Sequence, residues 1–303
     1  MTRVLLTGAG GQVGVELART LHGRAEVFAF DRAALDLADP DAITSRVREV
    51  RPDVIVNAAA YTAVDRAEQE LEAARAVNAR APGVLADEAR RGGALLVHFS
   101  TDYVFDGSKP LPYLETDPTA PVNAYGLSKL EGEHAITASG CDHLVLRTSW
   151  VYGPHGKNFL LTMLKLGAAR PELRVVSDQR GAPTSSRQIA AGVVQLLGGG
   201  DAALLDAASI ARARAASGIY HFTAAGVTTW FDFARAIFEA RSRVAGRAFI
   251  APRVIAIPSS EFPTPAKRPA NSVLSNAKLQ AAFGFALPPW ERGLEEALSA
   301  LES

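Results

Sequence analysis

Residues 5–14 read Leu5-Leu6-Thr7-Gly8-Ala9-Gly10-Gly11-Gln12-Val13-Gly14. An apolar run enters this stretch from Val4, and a helical pattern, Gln12–His22, leaves it. Gly8, Gly11 and Gly14 make a GxxGxxG spacing. Between a strand and a helix, such glycines give a tight turn, let backbone approach a pyrophosphate and let helix lie close on strand. Gln12 and Val13 then open a helix whose unpaired N–H groups face the phosphates. The next apolar run, Val27-Phe28-Ala29-Phe30, ends at Asp31. An acid there accepts hydrogen bonds from a ribose and disfavours a 2′-phosphate, although it also suits a plain turn. Arg32 offsets that preference, so the expected cofactor is NADPH or NADH.

Outward from this unit the alternation continues. Val54–Val56, Leu95–Phe99 and His143–Leu146 are continuous apolar runs, as in strands covered on both faces. Helical patterns lie between them at Asp41–Val50, Leu71–Arg91 and Ala124–Ala138. The expected fold is α/β, a Rossmann-type doubly wound parallel sheet. Past residue 150 the pattern is less regular and richer in proline. Leu160–Ala169, Ser186–Leu197, Phe231–Ala240 and Trp290–Leu301 read as helices, and Leu173–Val176 and Val254–Ile257 as short strands. We expect a cofactor domain over 1–150 and, over 151–303, mainly a smaller substrate-binding lobe interleaved with it. Residues 198–217, three glycines and then an alanine-rich run, read as a loop or loose helix in a surface insertion.

Composition narrows the class. With 303 residues and 48% hydrophobic, the chain can bury a full core. Lys plus Arg and Asp plus Glu number 32 each, which argues against a nucleic-acid or anionic-membrane surface. No apolar stretch approaches the ~20 residues of a bilayer span. A lone Cys141 fits a reducing compartment, and no targeting segment precedes the first strand; a cytoplasmic protein is expected. The six histidines show no metal-ligand spacing.

Chemistry appears first at Tyr125 and Lys129. Spaced i and i+4 on a helix, they share a face, and an ammonium there would lower the phenol's pKa from about 10 towards use in acid–base catalysis; the pair is also expected to bind the cofactor, with Lys129 on the nicotinamide ribose. The fourth strand ends in Ser100-Thr101-Asp102, at the sheet edge where ligands bind in open α/β folds. Alternation turns only one of Ser100 and Thr101 to the site.

GAGGQVG (8–14), NAAAYTAVD (57–65), FSTDYVFDG (99–107), YGLSKLEGE (125–133), RTSWVYG (147–153), DQRGAPT (178–184) and RPANSVL (268–274) together resemble the dTDP-4-dehydrorhamnose reductase family, a branch of the extended short-chain dehydrogenases. The resemblance covers nearly the whole chain. It implies reduction of a dTDP-4-keto-deoxysugar, with Thr101, Tyr125 and Lys129 catalytic. Gly11, Gln12 and Val13 would contact the pyrophosphate, and Asp31 the ribose. Asp36 and Leu37 would border the adenine; Ala60, Tyr61 and Thr62 would line the nicotinamide side. Asp102 and Trp150 would hold sugar or nucleotide, and Arg268 the substrate diphosphate. Bland readings stand beside these: Trp150 as a core aromatic, Arg268 as a surface cation, Thr62 with Asp65 as a helix cap, Asn78 and Asp102 as turn-fixing residues. Some members of the family dimerise through a cation held by glutamates. Glu16 matches one of them, but Gln188 stands near the second, and an amide suits a hard cation poorly. A monomer or a metal-independent homodimer is therefore expected. The same motifs also fit a 4-ketoreductase for another dTDP-deoxysugar, or a regulatory subunit like that of methionine adenosyltransferase.

Overall fold

The computed structural model describes residues 1–198, 200, 204–245 and 249–301. Five strands appear where apolar runs predict them: β1 (Arg3–Thr7), β2 (Glu26–Phe30), β3 (Val54–Asn57), β4 (Leu95–Thr101) and β5 (His143–Thr148). With Gly218–His221 they form one parallel sheet in the order β2-β1-β3-β4-β5 and then Gly218–His221. Side-chain alternation divides its apolar residues between two layers. Leu5, Ile55, Leu96 and Val145 join one core, while Leu6, Val56, Val97 and Leu146 join the other. Helix α1 (Gln12–Leu21) and the helix Ser186–Leu196 cover the second layer. Helix α2 (Pro40–Val50) helps cover the first. It starts with Pro40 at its first turn and Asp39 capping the N–H groups of Asp41 and Ala42.

The chain leaves β1 towards β2, then returns on the other side of β1 to form β3. The topological switch therefore lies at the carboxyl ends of β1 and β3, the crevice where open α/β sheets bind ligands. The two loops meet there: a Cβ on Gly8 would lie 2.6 Å from the Ala59 nitrogen.

Three expectations need correction. Residues 204–217 are no surface insertion. Ala207–Ala215 is a helix whose Ile210 and Ala213 join the sheet's core, and the sixth strand follows at once. The rest of that prediction falls partly on residues 199 and 201–203, outside the described residues. Leu71–Arg91 is not one α-helix: α3 (Val64–Ala67) precedes α4 (Leu71–Arg75), a π-helical turn fills Ala76–Arg80, and α5 runs Ala81–Gly92. Thr62 caps nothing, because α3 begins after Ala63 without a side-chain cap.

Beyond the sheet, a third core gathers Tyr152, Leu160, Phe233, Ile237, Trp290 and Leu294. These come chiefly from the helices Phe159–Ala169, Trp230–Ala245 and Trp290–Ser299, beside the parallel strand pair Glu172–Val176 and Arg253–Ile257. Among the described residues no helix is long and apolar enough to cross a membrane.

Candidate active site

The glycine turn fits a pyrophosphate. Gly8 takes φ +70°, its carbonyl accepts from the Gly11 N–H at 2.9 Å, and a Cβ on Gly14 would sit 2.0 Å from that same oxygen. Gly11 ends α1 without a side-chain cap, which leaves N–H groups for an anion. Gln12 is braced from the far half of the chain, where the Asn158 Nδ2 donates to its Oε1 at 2.8 Å. Val13 packs, half-buried, on the core. Asp31 is exposed at the end of β2; Oδ1 accepts from the Ala33 and Ala34 N–H groups, bonds that do not engage Oδ2. The turn role and the ribose role are therefore compatible. Asp36 similarly fixes its own turn by accepting from the Ala38 N–H, whereas Leu37 is buried in the core with little surface left for an adenine.

Ala60, Tyr61 and Thr62 follow β3 on the other wall. Asn78, in the π turn, grips this loop: Oδ1 accepts from the Tyr61 N–H and Nδ2 donates to the Tyr61 carbonyl and to Ser128 Oγ. The Tyr61 hydroxyl is committed to Glu70, which raises its pKa.

Helix α6 (Ala124–Ser139) carries the YxxxK pair. Asn123 caps it by accepting from the Gly126 N–H at 2.8 Å. Gly126 and Gly132 let it approach backbone, for a Cβ at either would come within 2.2 Å of the Tyr103 or Asn78 carbonyl oxygen. Glu133, a turn beyond Lys129, is buried and accepts two bonds from Arg147 of β5, at 2.9 and 2.6 Å, and one from Ser100 at 2.5 Å. Ser100 thus faces structure, and Thr101 faces the site. The Thr101 hydroxyl donates to Asp102 Oδ1 at 3.0 Å and accepts from the Tyr103 N–H. Burial raises the Asp102 carboxyl to about 6, against hydrogen bonds from Ser272 and Thr101. Burial first, then the Asp102 charge, pushes the Tyr125 phenol well up, with Thr101 opposing.

Here the sequence reading needs correction. Lys129 does not lower the Tyr125 pKa in this state. Its Nζ donates to the Phe99 carbonyl at 2.6 Å and lies 3.1 Å from His98 Nε2. Burial brings it down to about 8, with Glu133 opposing.

Trp150 has φ +49°, uncommon for a residue with a Cβ and a conformation costing on the order of 1–3 kcal/mol. Its half-buried ring stacks on Trp230 at 3.5 Å, and Gly181 leaves room for the indole. Arg268 is no lone surface cation: it forms a two-pronged pair with Asp65, at 3.0 and 2.9 Å. Glu16 is buried and held by Arg19 at 2.9 Å and Arg187 at 3.3 Å. Gln188 lies buried against Gly293. Among the described residues no cluster of three or more His, Cys, Asp or Glu could hold a metal.

Asn57, His98, Glu133 and Trp230 were missed as site residues. Only Glu133 left a sequence signal, four residues after Lys129 on the same helix face.

The whole chain, residues 1–303, matches the family model described as RmlD substrate binding domain. It is 51% identical over 293 residues to the dTDP-4-dehydrorhamnose reductase of Burkholderia thailandensis, covering 95% of each chain. The chain belongs to the dTDP-4-dehydrorhamnose reductase family. Another member of this reductase family, from Escherichia coli K12, is 43% identical over 302 residues, covering 98% of this chain and 97% of that one. A crystal structure of the dTDP-4-dehydrorhamnose reductase of Bacillus anthracis in complex with NADP superposes with a TM-score of 0.89 at 34% identity, covering 99% of both chains. The extended short-chain dehydrogenase fold of the family is the fold found here.

Proposed function

We propose that this chain reduces the 4-keto group of dTDP-4-dehydro-L-rhamnose to give dTDP-L-rhamnose with NAD(P)H. The observation that carries the reading is the 51% identity across 95% of both chains. The Thr101, Asp102, Tyr125 and Lys129 set beside the glycine-loop crevice supports it. The bound cofactor supplies the hydride. Tyr125 then protonates the developing alkoxide, Thr101 hydrogen-bonds that oxygen, and Lys129 adds positive charge. Gly8, Gly11, Gln12, Val13 and Gly14 cradle the pyrophosphate. Asp31 takes the adenosine ribose, Asp36 and the backbone of Leu37 border the adenine, and Ala60, Tyr61 and Thr62 line the nicotinamide. Asp102 and Trp150 hold the sugar nucleotide. Arg268 meets its diphosphate while keeping Asp65 as a partner. This puts the cofactor on residues 1–150, which also give the substrate Thr101, Asp102 and Trp150, while Arg268 comes to it from the substrate-binding lobe over 151–303. The buried Cys141 suits a reducing, cytoplasmic setting.

The test is incubation with dTDP-4-dehydro-L-rhamnose and each reduced cofactor, with NMR assignment of the product at C4. Cofactor oxidation giving a different C4 configuration would favour another deoxysugar. Binding without turnover of 4-keto sugar nucleotides would favour a regulatory role.

Two further outcomes are expected. Asp31→Ala should move the kcat/KM ratio towards NADPH, because it removes a carboxylate facing the 2′ position and leaves Arg32. An unchanged ratio would place Asp31 away from the ribose. Light scattering should give the same mass with magnesium as with excess EDTA, since Glu16 is already neutralised by Arg19 and Arg187. A dimer that dissociates on chelation and reforms with magnesium would overturn the metal-independent assembly.

A further inference from the structure

Lys129 is the end of a buried chain of side chains that runs through the sheet. Asn57, His98 and Lys129 are at most 1% exposed. Asn57 Nδ2 lies 3.0 Å from His98 Nδ1, and His98 Nε2 lies 3.1 Å from Lys129 Nζ. The far end fixes the direction of every bond. Asn57 Oδ1 accepts from the Thr7 hydroxyl at 2.7 Å and from the Ala59 N–H at 3.3 Å. A backbone N–H only donates, so turning the amide over would set two donors face to face. Nδ2 therefore donates to His98, and Nδ1 must accept. A neutral imidazole carries one ring proton, which is then on Nε2. Burial keeps His98 neutral by holding its pKa well below the ordinary value.

The Nε2–H thus points at Lys129 Nζ. An ammonium has three donors and no lone pair, and cannot receive it. An amine can, and still donates to the Phe99 carbonyl. We infer that Asn57 and His98 are positioning residues that hold Lys129 as a neutral amine in the cofactor-free protein on the alkaline side of neutrality, and that Lys129 there takes one proton from solvent when it leaves His98 for the bound cofactor. The inference rests on the reading that Tyr125 and Lys129 form the reaction site.

The surroundings agree. From its own helix Glu133 faces Lys129, but Arg147 of β5 engages that carboxylate with two bonds. Asp102 and Tyr103 follow β4, and Tyr125 lies one turn away on α6. Beyond them Asp65 and Arg268 neutralise each other. Burial already lowers Lys129 to about 8. Its charge in the resting protein is therefore lost as pH rises through that value, and is restored when it sits among cofactor oxygens.

The experiment is calorimetric titration of the full chain with NADPH at about pH 7, 8 and 9, in paired buffers of unlike ionisation enthalpy, to count protons taken up. The 2′-phosphate titrates near pH ~6 and adds nothing at the upper end. Uptake should rise from near zero at about pH 7 towards one proton per chain at about pH 9. In Asn57→Asp the new carboxylate accepts from Nδ1–H, the tautomer reverses, and Nε2 accepts from an ammonium. NADPH should still bind there, with uptake abolished. A merely structural role for Asn57 would change affinity without changing the proton count. Wild-type uptake below about 0.2 proton at about pH 9, with NADPH bound, would overturn the inference, as would undiminished uptake in Asn57→Asp. The wild-type count stands even if that variant fails to fold. No NADPH binding by the wild type would instead sink the reading of the site itself, and the inference with it.

Discussion

Tyr125→Phe is expected to lower kcat by about 10²–10⁴-fold, the usual contribution of a general acid, while leaving cofactor affinity unchanged. Burial and the Asp102 carboxylate raise the phenol's pKa, so Tyr125 is fully protonated around neutrality. That is the form a reduction needs, because the new alkoxide must receive a proton. Removing the hydroxyl deletes the proton donor and little else. Phenylalanine preserves the ring that meets Tyr103 edge-on at 5.8 Å. The measurement is single-turnover oxidation of NADPH with saturating 4-keto sugar nucleotide, where chemistry limits the rate. A variant retaining more than about half the wild-type rate would remove Tyr125 from the proton transfer.

The second large effect concerns stability. Arg147 and Glu133 are 3% and 1% exposed, and two bonds join them. Arg147→Met leaves the Glu133 carboxylate buried with only the Ser100 hydroxyl as a donor. Losing one partner of such a pair costs about 3–5 kcal/mol. Urea unfolding should show that loss, and Arg147→Met combined with Glu133→Leu should recover much of it, since the cost comes from the stranded charge. A single-variant loss under about 1 kcal/mol would mean that water reaches the pair as it does an exposed one. The cost reaches the site, because this pair docks α6, with Tyr125 and Lys129, onto β4 and β5.

Much of this site was legible in the sequence, for physical reasons. Continuous apolar runs mark strands covered on both faces, and Gly8 and Gly14 mark a turn that no side chain could enter. Gly218–His221 was missed because four residues of mixed polarity carry no period. The helix before it reads as a loop or loose surface helix, and its packing leaves no mark, because alanine suits a loose surface helix as well as a packed one. Asn57 and His98 lay in plain view inside apolar strands. What makes them matter is that β3 and β4 are neighbours in register, with Asn57 opposite His98. Strand order is a long-range property and leaves no local trace. Likewise, the YxxxK spacing shows that Tyr125 and Lys129 share a helix face, but not which partner the amine prefers.

The π turn at Ala76–Arg80 concerns length rather than identity. It lodges an extra residue between two α-helical stretches, and Asn78 reaches the Tyr61 backbone because of that residue. Removing one residue there other than Asn78 would restore an unbroken helix and turn α4 by about 100° about the helix axis relative to α5. The Tyr61 loop would lose its clamp although no contacting residue had been replaced. Along this stretch, substitutions that spare Asn78 leave the clamp in place, but a one-codon deletion does not.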